Sequence, residues 1–170
     1  MRPTKDEYPS FFETYVSKVP DGDIVQQMRQ GVENTVKLIS PLSEDLLNYR
    51  YAEGKWSIKE VLMHLSDAER IFSYRALRFA RKDKTDLPGF DENIYVPASK
   101  ATQRTAESIL NEYQTVRAAS LTLFESLDDE ALQERGTANG RTTSVRAMAY
   151  ILVGHELHHV GIIKERYLKK

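Results

Sequence analysis

The sequence predicts an all-α protein, a four-helix bundle with one long crossover loop. Apolar residues recur at helical spacing in four long segments, and no segment shows the sustained alternation of a β-strand. One connection, 82–102, is long and rich in turn-forming residues. Because no internal repeat is visible and 170 residues suit a single core, we assign 1–170 to one domain.

The first long helix follows an irregular N-terminal segment, 1–20. Prolines interrupt this segment, and its four aromatic side chains suggest that it lies across the body of the protein. Helical spacing of apolar residues then predicts a helix that begins after Asp21 or Asp23 and ends at Pro41. A short further turn is predicted at 43–47.

The second helix carries a clear start signal. Ser57 and Glu60 form a capping box, and the apolar face continues to about Ala80. The basic run from Arg75 to Lys82 is predicted to be a solvated helix end, because cations there complement the helix dipole. The loop-like connection 82–102 follows. A connection of this length either crosses the bundle or serves a function, and both interpretations stay open.

Two more helices complete the bundle. The third is predicted at about 105–127, with a short turn after it at 126–132. Asn139-Gly140 is typical of a tight turn. The fourth helix is predicted at about 143–168.

Composition places the chain among ordinary globular proteins, with 41% hydrophobic residues, 29% charged residues and a formal net charge of -1. This balance lacks the basic excess of nucleic-acid-binding proteins, so no nucleic-acid partner is expected. No signal-peptide pattern and no apolar run of about 20 residues is present, which predicts a cytoplasmic protein without a membrane partner. Because there is no cysteine, a metal would have to be held by His, Asp, Glu or water.

The four histidines, His64, His155, His158 and His159, all fall in the second and fourth helices. His155 and His159 are one turn apart on an apolar face, and His64 lies in an apolar stripe, so three imidazoles point toward the core. His158 lies at the edge of its face. Buried imidazoles are costly unless their nitrogens are satisfied, and one divalent metal, such as zinc or nickel, satisfies three together. The alternative is a trio of core histidines that hydrogen-bond to backbone or tyrosine groups.

The stretch His155-Glu156-x-x-His159 matches the zinc-binding signature of metalloproteases, in which the glutamate acts as base. Only eleven residues follow His159, which leaves no room for the distant downstream ligand of one protease class. A second class needs glycine and histidine where this chain has Ile162 and Glu165. We therefore reject the protease interpretation.

Without a protease, Glu156 needs another role. It is predicted to be either a solvent-facing or ion-paired residue, or a hydrogen-bonding partner of a metal ligand. Asp67 is the better candidate for that second role, because its i, i+3 spacing places it beside His64. The catalytic group itself is unknown beyond a metal-bound water.

Three stretches resemble the DinB/YfiT-like superfamily of four-helix-bundle proteins, namely GKWSIKEVLMHLSDAERIFSYRALRFAR, LPGFDEN and GTANGRTTSVRAMAYILVGHELHHVGIIKERYL. The similarity extends from about 21 to 168. It implies a divalent metal, often zinc or nickel, bound by His64, His155 and His159, with His158 as a neighbouring non-ligand. It also implies a homodimer, because family members are often dimers.

The resemblance also implies an enzyme, since the superfamily includes thiol-dependent S-transferases, a thiol-dependent maleylpyruvate isomerase and proteins regarded as metal-dependent hydrolases. We therefore expect metal-dependent hydrolysis of a small molecule, or S-transfer with a low-molecular-weight thiol as partner. Five loop residues would line the pocket, namely Phe90, Asp91, Glu92, Asn93 and Tyr95. The alternative is a non-catalytic metal-binding or stress-associated bundle without turnover.

Overall fold

The computed structural model describes residues 2–169, which form a helical protein with one small sheet. An N-terminal segment with two 3₁₀ turns, Lys5–Glu7 and Ser10–Phe12, leads into the short helix α1, Glu13–Val16. The elements that follow are α2 (Ile24–Ile39), α3 (Glu44–Asn48), α4 (Ile58–Ala80), α5 (Glu92–Ala98), a 3₁₀ turn (Ala101–Gln103), α6 (Ala106–Glu125), α7 (Asp129–Gln133), β1 (Arg135–Ala138), β2 (Arg141–Ser144), α8 (Val145–Ile162) and a final π-helical stretch (Ile163–Leu168).

The four long helices begin where side chains cap them. Asp23, Ser57, Thr105 and Ser144 each accept a hydrogen bond from the backbone N–H three residues further along. At Ser57 the bond is reciprocal, because the Glu60 carboxylate accepts from the Ser57 backbone N–H at 2.7 Å. The predicted helix starts are therefore confirmed, since the capping signals that predict them are local in sequence.

The long helices form a bundle in which α2 and α4 each pack against both α6 and α8. The order around the bundle is therefore α2, α6, α4, α8, and the predicted four-helix bundle is confirmed. Because α4 and α8 are neighbours in this order, side chains on their facing surfaces meet in the core. Among residues 2–169, no helix combines the length and the apolar character needed to cross a lipid bilayer.

The apolar core consists of two clusters separated by a polar layer. One cluster includes Met28, Phe72, Leu121 and Met148, and the other includes Ile39, Leu62, Ile109 and Ile163. The polar layer contains Thr35 on α2, His64 and Glu69 on α4, Arg117 on α6, and His155 and Glu156 on α8, and each of these lies along the chain between a member of the first cluster and a member of the second. The sequence stretch that contains the histidines therefore lies at the middle of the bundle.

A two-stranded hairpin departs from the purely helical prediction. Strands β1 and β2 are antiparallel, with Arg135 opposite Ser144 and Ala138 opposite Arg141. Asn139 and Gly140 both have positive φ, as the two-residue turn of a tight hairpin requires, which confirms the predicted turn. The strands were missed because four residues each are too few to show alternation.

The connection 82–102 is more ordered than predicted. It contains helix α5, which begins at a cap made by Asp91, and a 3₁₀ turn at 101–103. Leu87 also joins the hairpin through backbone hydrogen bonds with Thr137 and Asn139. The prediction of a structureless loop was wrong because turn-forming residues at the start of α5 act as its cap.

The N-terminal segment lies across the bundle, as predicted, and packs on α8. Its contact with Gly154 is close, because a Cβ atom at that position would lie 2.1 Å from the Tyr15 carbonyl oxygen. Only glycine therefore allows the backbone of α1 to approach α8 this closely.

Glu7 anchors the same segment at the start of α8. Its buried carboxylate accepts hydrogen bonds from the Ser144 hydroxyl at 2.7 Å and from Arg146 at 2.8 and 2.6 Å. Burial alone would raise the pKa of Glu7, but the bonds from Arg146, the Thr4 backbone and Ser144 outweigh it and lower the pKa to about 2. The segment is thus held at both the start and the middle of α8.

Replacing Gly154 by alanine is expected to destabilise the protein by about 1–3 kcal/mol, because the new methyl group collides with a backbone that cannot turn aside. Gly161→Ala is the matched control on the same helix, since no atom beyond its own stretch of helix backbone lies within 4 Å of its Cβ position. That control is expected to stabilise the protein by up to about 1 kcal/mol through helix propensity. Urea unfolding of both variants measures the difference, and equal effects would contradict the close contact.

Candidate metal centre

Three histidine side chains converge where α4 faces α8. The Nε2 atom of His155 lies 2.9 Å from that of His64 and 3.1 Å from that of His159. The three rings stand nearly perpendicular to one another, with centroids 4.6 to 4.9 Å apart. The structure therefore brings together the three residues that the sequence singled out, although His64 and His155 are 91 positions apart.

Burial keeps these imidazoles neutral. It lowers the pKa of His64 to about 4 and, together with the charges of His64 and His158, lowers that of His159 to about 3. The pKa of His155 lies well below its ordinary value for the same reasons. A neutral imidazole has one nitrogen with a free lone pair, which is the form that ligates a metal.

The arrangement of the three Nε2 atoms fits a divalent metal. Imidazole nitrogens that bind one ion at 2.0–2.1 Å lie roughly 3.0–3.4 Å from one another, and the two close nitrogen pairs here are 2.9 and 3.1 Å apart. A proton on one nitrogen lets such a pair hydrogen-bond, whereas a shared cation instead turns each nitrogen lone pair into a ligand bond. Three protein ligands would leave at least one coordination position open, the pattern of catalytic rather than structural sites.

Aromatic rings pack around the imidazoles. Trp56 lies against His64 with a centroid distance of 4.9 Å, and the edge of Tyr15 contacts His155 at 5.2 Å. His158 lies outside the cluster, where its ring contacts Tyr15 and His159 at 5.4 and 5.1 Å. Burial and the nearby Lys18 lower the pKa of His158. Its place at the edge of the inward face is as predicted.

The two carboxylates considered as partners of a ligand are ion-paired with arginines instead. Asp67 forms an ion pair with Arg70 at 3.6 Å, and burial raises its pKa. Glu156 lies about 100° further round α8 than His155 and is buried and ion-paired with Arg117, one of the two roles considered for it. Within residues 2–169, neither carboxylate hydrogen-bonds to an imidazole of the cluster.

Glu156 belongs to a buried polar network centred on Arg117. The Arg117 guanidinium donates to both carboxylate oxygens of Glu69 at 2.7 and 2.9 Å and to Glu156 at 2.9 Å. Thr35 donates to Glu156 at 2.7 Å, and the Tyr113 hydroxyl donates to the same oxygen. Burial alone would lower the pKa of Arg117, but the two carboxylates raise it above its ordinary value.

This network links all four long helices. It is adjacent to the histidines, since Glu156 follows His155 in sequence. Sequence reasoning missed it, although one signal was present. Arg117 lies four residues after Tyr113 and three before Ser120, so helical spacing places all three on one face of the helix. A charged residue on an inward face indicates a buried partner.

A cavity of about 270 Å³ opens beside His64 and His155. Its walls come from the N-terminal segment, α4, α5, the hairpin and α8, and the polar side chains among them are Arg75, Glu92, Asn139, Arg141 and Thr143. Aromatic rings form much of the remainder, namely Phe11, Phe12, Tyr15, Phe72 and Phe90. A concave, largely apolar pocket with a few polar groups is typical of a small-molecule site.

The lining only partly matches the predicted loop residues. Phe90 and Glu92 line the cavity, whereas Asp91 caps α5, and Asn93 and Tyr95 are exposed and not part of the wall. Arg75 corrects a second prediction, since it is buried in the wall while the rest of the basic run, at 78–82, includes exposed charges. The prediction of a solvated helix end is wrong for Arg75, because the side chain of this first residue of the run turns toward the cavity.

Two curated relatives of this chain are named as metal-dependent hydrolases. A curated relative from Oceanobacillus iheyensis, named "Putative metal-dependent hydrolase", is 26% identical over 153 residues, which cover 86% of this chain and 87% of the relative. A relative of the same name from Geobacillus thermodenitrificans is 23% identical over 127 residues, or 74% of this chain and 71% of its own.

Two solved structures share the fold. YfiT from Bacillus subtilis, described as a probable metal-dependent hydrolase with an unusual four-helix bundle topology, superimposes with a TM-score of 0.74 at 16% identity and covers 86% of this chain and 90% of its own. A mycothiol-dependent maleylpyruvate isomerase superimposes with a TM-score of 0.69 at 13% identity over 86% of this chain and 61% of its own. The likeness to both is one of fold.

The family is assigned from a match between the sequence of this chain and a family model. The family model of the DinB superfamily matches residues 27–163, a span that contains the four long helices except for the start of α2, and all three converging histidines. The chain therefore belongs to the DinB superfamily.

Proposed function

We propose that this protein is a divalent-metal-dependent hydrolase that acts on a small molecule bound in the cavity beside His64 and His155. One observation carries the proposal: three neutral imidazole nitrogens converge on one point, and two of these imidazoles form part of the cavity wall. The names of the two curated relatives support it.

The residues of the site have distinct proposed roles. His64, His155 and His159 would hold the metal, which supplies Lewis acidity that activates water for hydrolysis. The aromatic wall excludes bulk water from a bound substrate, which strengthens electrostatic interactions inside the cavity. Glu92 is the carboxylate in that wall, and we assign it the role of proton acceptor.

Zinc or nickel is the proposed metal. Neutral imidazole suits both ions, and a set of three nitrogens does not by itself discriminate between them. A homodimer and a cytoplasmic location, predicted from the sequence, belong to the same proposal. Sedimentation velocity measures the first of these.

The proposal predicts about one divalent ion per chain in natively purified protein, measured by elemental analysis. Chelation is expected to abolish hydrolysis of ester, amide and lactone substrates in a broad panel, and one equivalent of zinc or nickel is expected to restore it. Hydrolysis that survives complete removal of the metal would contradict the proposal. A metal-loaded protein without turnover would instead favour the non-catalytic bundle.

Thiol-dependent S-transfer is the second candidate. The observation that favours it is the shared fold with a mycothiol-dependent enzyme. A divalent metal can bind a small thiol as thiolate, the nucleophilic form. Loss of free thiol in the presence of an electrophile and the metal-loaded protein, without hydrolysis of the panel, would select S-transfer over hydrolysis.

A further inference from the structure

Arg75 is a buried cation that lacks a carboxylate partner. Its side chain is 7% exposed, and within residues 2–169 it forms no ion pair; its one protein hydrogen bond goes from Nη2 to the Pro88 carbonyl oxygen at 2.7 Å. Other buried cations in the protein are paired, since Lys59 contacts Glu44 and Arg117 contacts two carboxylates. A buried charge without a partner costs free energy, so its presence calls for an explanation.

The Arg75 guanidinium is held in place while most of its donors stay free. Its central carbon lies 5.3 Å from the ring centroid of Phe72 and 6.0 Å from that of Phe90, so two aromatic faces support it. A guanidinium has five N–H donors, and the Pro88 carbonyl uses one. Burial lowers the pKa of Arg75, but arginine keeps its charge in proteins.

Arg75 lies on the same helix face as the candidate metal ligand. His64, Ala68, Phe72 and Arg75 all line the cavity, at spacings of four, four and three residues. Eleven residues separate His64 from Arg75, or about 16 Å along the axis of α4. The small Ala68 leaves room between them, so one wall of the cavity has the histidines at one end and the guanidinium at the other.

The charged side chains that line the cavity also carry an excess of positive charge. Arg141, exposed at the start of β2, lies over the ring of Phe11 at 5.5 Å and adds a second positive charge. Glu92 is the carboxylate in the wall, and it does not form an ion pair with Arg75. Arg75, Arg141 and Glu92 together therefore give the lining a net charge of about one positive unit, a field that attracts anions.

We propose that Arg75 is the anion subsite of this cavity and that the substrate is a small apolar or aromatic carboxylate. Its carboxylate binds the free fork of the Arg75 guanidinium, its apolar part lies between the aromatic walls, and its reactive group reaches the histidine end. Paired N–H donors match the two oxygens of a carboxylate. The assignment of the subsite to substrate rests on the proposed function; the anion binding itself does not.

The test is calorimetric titration of the purified protein with 3-phenylpropionate, its methyl ester and 2-phenylethyl phosphate. The acid is expected to bind and the neutral ester to bind at least tenfold more weakly. Arg75→Met is expected to weaken binding of the acid at least tenfold, and Arg75→Lys, which keeps the charge without the fork, by a smaller factor. Arg78→Met, on the same helix but outside the cavity and paired with Asp83, is the matched control and leaves the affinity unchanged.

Thermal unfolding separates binding from support of the fold. Removing an unpaired buried charge is expected to leave the Tm of Arg75→Met at or above that of wild type, and the acid is expected to raise the Tm of wild type alone. A large drop in Tm for both Arg75 variants would show that Arg75 is structural and overturn the proposal. Equal binding of acid and ester, or tighter binding of the phosphate, would overturn the carboxylate assignment.

The same titration distinguishes this proposal from the metal proposal. His159→Ala weakens the metal site without changing the cavity wall, since His159 does not line it. Binding of the acid that persists in His159→Ala and fails in Arg75→Met assigns the anion to Arg75 even if no metal is found. Binding that fails in His159→Ala and persists in Arg75→Met would place the anion on the metal and overturn the subsite.

Discussion

Replacing His155 by alanine is expected to remove the metal and to abolish turnover. The His155 Nε2 atom is the one within 2.9 and 3.1 Å of the other two, so its loss leaves two imidazoles on different helices without the shared ligand. Removing a direct ligand is expected to lower metal affinity by at least about 100-fold, since even residues that only orient ligands contribute 10–100-fold. Metal per chain after dialysis, together with kcat on the substrate found, measures both effects.

His158→Ala is the matched control for this prediction. It removes an imidazole from the same turn of α8 without touching the converging nitrogens, so metal content is expected to stay unchanged. His64→Ala, on α4, is expected to behave like His155→Ala, which separates loss of the site from damage to α8. Wild-type metal content in both His64→Ala and His155→Ala, with native circular dichroism, would refute the site.

Arg117→Met is expected to cost about 3–5 kcal/mol of unfolding free energy, because it leaves Glu69 and Glu156 as buried charges without a cation. For a chain of this length that loss corresponds to a fall in Tm of about 10 °C. Urea unfolding and thermal unfolding measure the two quantities.

The control for Arg117→Met is Arg29→Met, which breaks a partly exposed ion pair with Glu125. That pair is expected to contribute at most about 1 kcal/mol, because solvent screens it. Combining Arg117→Met with Glu69→Gln and Glu156→Gln is expected to recover part of the lost stability, since no uncompensated charge remains. Equal costs for Arg117→Met and Arg29→Met would mean that the network contributes no more than a surface pair.

Local signals explain how much of this structure the sequence predicts. The cap at Ser57 and the four-residue spacing of His155 and His159 depend on neighbours along the chain, so helix starts and the inward histidines can be predicted. The place of Arg75 depends on which way a helix end turns in the folded bundle, and the pairing of Arg117 depends on three other helices. Such contacts are tertiary, and no local pattern encodes them.

The hairpin and the N-terminal segment also depend on tertiary contacts that a local sequence pattern does not predict. The turn at Asn139-Gly140 is visible in the sequence, but its four-residue strands become strands only because they pair. Phe11 and Phe12 predict burial of aromatic surface, not a position in the wall of a cavity beside His155. The wall of the pocket is therefore the least predictable part of the site.

The close approach of α1 to Gly154 brings residues from outside the matched family region into the pocket. The family model begins at residue 27, yet Pro9, Phe11, Phe12 and Tyr15 already belong to the cavity wall. In this chain the histidines and part of the wall beside them are therefore supplied by separate stretches of sequence. Substitutions at Phe11 or Phe12 are expected to change which molecule the cavity accepts while the metal content stays the same.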